Sequence, residues 1–224
     1  QRQMCIRDRV QCVLPFGFPR CEFIVDAMVD RCWEIAQGRF GARSMRTCLE
    51  SSAMPRVHVK RIALAIALHC VPLATSASGA LLLTWLFDMS GLQGVPGLLA
   101  PRFVPHLARL CTHKLASGFV LRLVSQTENA YAAGLILNAV FDLHNDASVL
   151  EEILVDPVHG AQFVSRALLS PALEADARTR NVNAVAILLA KYELSHVPAY
   201  RRLAEQVGIC LLYTSDAADD SLRV

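Results

Sequence analysis

The chain has little excess charge of either sign. Lysine and arginine number 22 and aspartate and glutamate 20, which leaves a net charge of +2. So even a balance carries no electrostatic signature of a nucleic-acid partner. Metal-ligand spacing is also missing. Cys12, Cys21, Cys32, Cys48, Cys70 and Cys111 stand inside apolar stretches with no CxxC pair among them. They read as buried free thiols of a reducing compartment, not as a disulfide or zinc framework. No glycine-rich phosphate loop occurs, and no segment alternates as a strand does. The most apolar run, residues 62–87, is interrupted by His69, Pro72, Thr75, Ser76, Ser78 and Gly79. That excludes a membrane helix there and suits a pair of buried helices. His69-Cys70 and Cys111-Thr112-His113 have no partner cluster at catalytic or metal-ligand spacing, so catalysis is not expected and no cofactor or metal is implied.

What the chain does have is a repeated pattern. Four small residues, Gly41, Gly79, Ala116 and Gly160, stand 38, 37 and 44 residues apart. Each opens an apolar amphipathic stretch and follows a longer one. A period of this size marks a solenoid of helical repeats, in which each unit buries its apolar face only against its neighbours. The fold class is all-α, and hydrophobic residues at 54% are ample for such a core. Helices are expected over residues 22–37, 42–51, 59–70, 80–88, 102–111, 116–125, 129–142, 149–154, 160–169, 178–192 and 199–207. Gly91, Gly94, Pro96, Gly97 and Pro101 read as a looser linker. Asp142, Asp146, Glu151, Glu152 and Asp156 read as a solvated loop.

Both ends stand apart from the repeats. Residues 1–9 (QRQMCIRDR) and 210–220 (CLLYTSDAADD) can be encoded by sequences that are reverse complements over their shared length. They resemble translated library-adapter sequence, so residues 1–9 and 210–224 are set aside as scars and the repeat domain is placed at residues 10–209.

The residues of the first repeat resemble those of the Pumilio (PUF) repeat. Ile35-Ala36 ends one helix, Phe40-Gly41 forms the turn, and Arg43 and Cys48-Leu49-Glu50 lie on the next helix. Later segments resemble a diverged fungal branch of that family. The resemblance implies a right-handed, armadillo-like α-solenoid of Pumilio-type three-helix repeats, about four to five of them here. Its concave face would hold single-stranded RNA, with one base per repeat read by two or three side chains. The partners implied are mRNA untranslated regions, with protein effectors on the convex face. The protein would be a cytoplasmic monomer that regulates mRNA stability, translation or localisation and has no membrane role.

Carried over residue by residue, the resemblance implies Ala42 and Arg46 as base-edge readers in the first repeat, with Arg43 stacking. In the second repeat the readers are Ala80 and Thr84, with Leu81 between. Ser117 and Leu121 flank Gly118 in the third, and Ala161 and Ser165 flank Gln162 in the fourth. The family's usual set has Cys, Ser or Asn first, an aromatic or Arg second, and Gln or Glu third. Only the first repeat keeps an ordinary stacker, and Leu121 makes no hydrogen bond. The second and third repeats are left with three open roles: holding the backbone, accepting any base, or not touching RNA. Arg39, Lys60, Arg61, His113, Lys114 and Arg122 are candidates for phosphate contact or for a solvated face. Trp33, Trp85, Phe40 and Phe163 read as core. The runner-up reading is a HEAT- or armadillo-type scaffold for protein partners, to be told apart by the charge of the groove.

Overall fold

The computed structural model describes residues 6–89, 94–142 and 148–208. The adapter-like tail from residue 210, residues 1–5, Gly91 of the expected linker and Asp146 lie outside the described residues. Every regular element among the described residues is helical.

A first helix, α1 (Ile6–Val13), runs across the boundary at residue 10 and precedes the repeats. The first repeat comprises α2 (Glu22–Asp30), α3 (Cys32–Ala36) and α4 (Arg39–Glu50). The second comprises α5 (Arg56–Leu68), α6 (Cys70–Thr75) and α7 (Ala77–Asp88), and the third α8 (Val95–Phe103), α9 (Leu107–Cys111) and α10 (Ala116–Ser125). The fourth comprises α11 (Ala130–Val140), α12 (Val149–Leu154) and α13 (His159–Ala167). Then α14 (Ala175–Lys191), two single 3-10 turns and α15 (Arg201–Gln206) repeat the plan.

The helices expected over residues 22–37 and 102–111 are each really two, a further short helix follows the one expected over 59–70, and chain chemistry explains most of the breaks. Pro72 has no N–H to offer the carbonyl of Leu68, so α5 stops at Leu68 and α6 restarts after His69 (φ −101°, ψ 17°) with the proline in its first turn. Pro105 does the same between α8 and α9, which splits the helix expected over residues 102–111. The break at Arg31 (φ −114°, ψ 32°) divides the expected helix at residues 22–37 without a proline. The linker expected before Pro101 is helical from Val95, with Pro96 in the first turn, where its missing N–H costs nothing.

The repeats stack in three rows. The third helices run α4, α7, α10, α13, α15, with α1 against α4 at one end; the first helices run α2, α5, α8, α11, and the short ones α3, α6, α9, α12. One continuous core threads all of them. Phe103, Phe163 and Met45 are among its fully buried side chains. The architecture is an α-solenoid of three-helix repeats.

The glycines at the corners are not turn residues. Gly41, Gly79 and Gly160 lie within the first turn of their third helix, pressed on the end of the preceding short helix. A Cβ would stand 2.0 Å from the Ile35 carbonyl oxygen at Gly41, 2.5 Å from that of Leu73 at Gly79, and 1.9 Å from that of Ile153 at Gly160. Only hydrogen fits in those places.

Two expectations about burial need correction. Phe40 is 56% exposed, because it sits on the far side of α4 from the core. Cys12 is exposed on α1, whereas Cys21, Cys32, Cys48, Cys70 and Cys111 are buried and unpaired. Burial pushes the thiols of Cys32 and Cys70 up to about 11 and drives that of Cys111 up as well, so none of the three is a ready nucleophile at neutral pH.

Candidate functional site

The third helices turn a common face outward, and two grooves lie along it. The smaller, about 340 Å³, runs between α4 and α7 and is lined by Arg39, Ala42, Arg43, Arg46 and Leu81. The larger, about 820 Å³, spans α7, α10 and α13. Its lining includes Ala80, Leu81, Thr84, Gly118 and Leu121, together with Arg122 and Arg166. Eight candidate site residues of the first three repeats therefore line these grooves, Leu81 being shared by both. Ser117, Ala161, Gln162 and Ser165 line neither.

Register explains which of these residues point outward. The position two beyond each corner is exposed in all four repeats, at Arg43, Leu81, Gly118 and Gln162. The position one beyond it is packed down, with Ala42 at 8%, Ser117 at 7% and Ala161 at 4% exposure and Ala80 intermediate. The position five beyond differs from repeat to repeat. Arg46 is exposed and Thr84 half-buried, whereas Leu121 and Ser165 are buried.

Several side chains of these helices are tied to neighbouring repeats. Arg46 Nε donates to Glu50 Oε1 at 2.8 Å, and Trp85 Nε1 of the next repeat donates to the same oxygen at 2.9 Å. The Arg46 guanidinium lies 5.3 Å over the Trp85 ring, a cation–π contact. Trp85 is thus half-buried, packed against the core as expected and at the same time bracing Arg46 from the next repeat. Arg122 donates to Asp88 and lies over Phe87 of the preceding repeat. Ser165 donates to Gln206 Oε1 at 2.6 Å, and Gln206 Nε2 returns a bond to the Ser165 carbonyl at 3.0 Å, which joins α13 to α15. Thr84 Oγ1 donates back to the Ala80 carbonyl at 2.8 Å.

The other charged candidates divide by row. Arg61 bridges from α5 to Asp26 of α2 at 2.8 Å, in the row of first helices. His113 Nδ1 accepts the backbone N–H groups of Leu115 and Ala116 and so caps α10. Asp156 belongs to no solvated loop: its carboxylate accepts the N–H groups of Val158, His159 and Gly160 and caps α13. Glu151 reaches Lys191 at 2.9 Å. Among the described residues, Arg39, Arg43 and Arg166 have no acidic partner, so this face carries a surplus of positive charge that the net charge of the chain conceals. Arg166 was not among the sequence candidates. It stands six residues after Gly160, as Arg122 does after Ala116, and that register was its signal.

Comparison with known proteins agrees with this geometry. A Pumilio domain-containing protein of Schizosaccharomyces pombe is 35% identical over 199 residues, which is 88% of this chain and 19% of the relative. The mRNA-binding protein PUF2 of Saccharomyces cerevisiae is 32% identical over 207 residues, covering 89% of this chain and 19% of its own length. The crystal structure of the PUM-HD domain of S. pombe Puf1 in complex with RNA superposes with a TM-score of 0.78 at 32% identity, over 91% of this chain and 52% of that one. No family model matches the chain. The chain thus spans about a fifth of the length of these two relatives and about half of the superposed domain.

Proposed function

Because the chain is a run of Pumilio-type repeats similar to those of fungal Pumilio-domain proteins, we propose that its groove face binds single-stranded RNA. The observation that carries this reading is the row of unpaired arginines, Arg39, Arg43 and Arg166, beside grooves that run from repeat to repeat. Phosphates lie against these cations, and the strand follows the stacking direction. Arg43 offers a flat guanidinium on which a base stacks. Arg46 is donor-only, so it reads a base edge that presents acceptors. It is already oriented by Glu50 and Trp85, and little side-chain freedom is lost when it binds.

The activity is binding, without chemistry. The RNA is an mRNA untranslated region, and the outcome is control of its stability, translation or localisation, with protein effectors on the opposite, convex face. The protein acts as a monomer. Unpaired thiols fit a reducing compartment, the cytoplasm. No helix among the described residues is long and apolar enough to cross a membrane. Residues 10–209 constitute the binding unit, and the flanking residues are adapter-derived.

Selection from a random RNA pool at fixed salt tests the reading, run beside an Arg43→Ala, Arg46→Ala double variant. An enriched single-stranded motif that the double variant loses supports it. A folded protein that enriches nothing, or whose binding ignores both substitutions, refutes it and returns the chain to the protein-scaffold reading.

A further inference from the structure

Three of the four glycines on the groove-face helices are dictated by packing. Gly118 is not: a Cβ there meets nothing within 4 Å. A glycine inside an α-helix weakens it, and here no backbone contact demands one. Its effect is to leave the middle of the larger groove empty. On either side stand Leu81 of α7, 73% exposed, and Leu169 in the turn after α13, 65% exposed, and the lining includes Leu121. Two exposed leucines thus border the hollow.

The polar groups of this groove are mostly committed. Thr84 spends its hydroxyl proton on the Ala80 carbonyl, and Arg122 is held by Asp88. Arg166 alone of the charged lining lacks a partner. Apart from the Ser125 hydroxyl the remaining lining is therefore apolar, and Arg166 is its free charge. The smaller groove differs in holding three arginines, Arg39, Arg43 and Arg46, beside Leu81 and Leu82. An apolar hollow with a cation at its edge suits a flat, weakly hydrated ring attached to an anion.

We propose that the groove at Gly118 is a base-indifferent slot. One nucleobase of the bound strand enters between Leu81 and Leu169, retained by burial of its faces, while its phosphate sits at Arg166. Any of the four bases fits, because the one uncommitted hydroxyl, that of Ser125, turns to donate or to accept and so favours none. The inference rests on the RNA-binding reading and deepens it, since it makes the third repeat a spacer that fixes the strand without specifying sequence.

The test uses the RNA recovered by selection, with each position replaced in turn by the other three bases and by an abasic nucleotide. One position is expected to tolerate all four bases within about twofold, yet to lose about fivefold or more in affinity when its base is removed, the lower part of the range for burying one base. Leu121→Gln should make that same position base-selective, and Gly118→Leu should abolish its abasic penalty. RNA bound with no such position, or with every abasic-sensitive position base-selective, overturns the slot and leaves RNA binding standing. A protein that binds no RNA overturns both.

Discussion

The first and third repeats solve one problem in two ways. In the first, Gly41 lets α4 press on the Ile35 carbonyl, and the helix then displays Arg43 and Arg46. In the third, Ala116 occupies the corner with its methyl group fully buried, and the displayed position is the bare Gly118. The glycine has in effect moved two residues along, from the packed side of the helix to the open side. A glycine under a neighbouring carbonyl is a condition of folding. A glycine facing open space is a feature of the surface, and the two respond oppositely to the same substitution.

Substituting alanine at both kinds of site breaks the comparison most directly. Gly41→Ala and Gly160→Ala each force a methyl group into a backbone carbonyl, at a cost of about 3 kcal/mol or more. Gly118→Ala adds a methyl in open space and raises helix propensity, for a gain of about 0.5–1 kcal/mol. Urea midpoints should fall for the first two and rise for the third. A similar fall in all three would show that the corners are not special.

The difference in charge should appear in RNA binding. Arg43→Ala is expected to lower affinity roughly tenfold and to reduce the salt slope by about one ion, as the loss of one phosphate contact does. Gly118→Ala should leave the salt slope unchanged, because no charge is involved. Titration of RNA affinity between low and moderate salt separates the two.

How much of this could be read from the chain depends on the range of the interactions. Local signals carried the all-α class, the repeat spacing and the ends of α10 and α12, since helical periodicity and proline act within a few residues. The break at Arg31 escaped because no proline marks it, and only packing in the stack selects it. The site was less legible. That Arg43, Leu81, Gly118 and Gln162 face outward follows from register alone. That Trp85 and Glu50 hold Arg46 depends on a partner 35 residues away, and that Ser165 is spent on Gln206 on one 41 residues away. Such contacts arise only when one repeat is laid on the next. Asp156 looked like part of an acidic loop because nothing in its neighbours discloses that three N–H groups converge on it.

The Arg46–Glu50–Trp85 bracket has no counterpart at Leu121, which sharpens the contrast by about one hydrogen bond. Trp85→Phe keeps a ring beneath Arg46 and removes the N–H that reaches Glu50. Stability should fall by about 1 kcal/mol, with Arg46 less well fixed and the base opposite it less well discriminated. Thermal denaturation and repetition of the RNA selection check both halves. An unchanged preference opposite Arg46 would mean that Glu50 alone orients it.

The smallest effect concerns how the two repeats open. A solenoid is held by nearest neighbours, so units near an end open more often than central ones. Cys48 on α4 and Cys111 on α9 are buried thiols that report on this. Burial, with a lesser contribution from the nearby Cys21 thiol, raises the Cys48 thiol to about 12, so the native protein holds it protonated and shielded and labelling must await opening. At pH 8, a maleimide should modify exposed Cys12 at once, Cys48 slowly, and Cys111 several-fold more slowly than Cys48, as local opening free energies grade inward. The same shift sets the pH dependence. A thiol favoured as neutral in the folded state contributes stability below its unfolded value near 9, and that contribution is lost as pH climbs toward about 12. Labelling of both cysteines at one rate would mean that the first and third repeats open together, as one cooperative unit, despite their different corners.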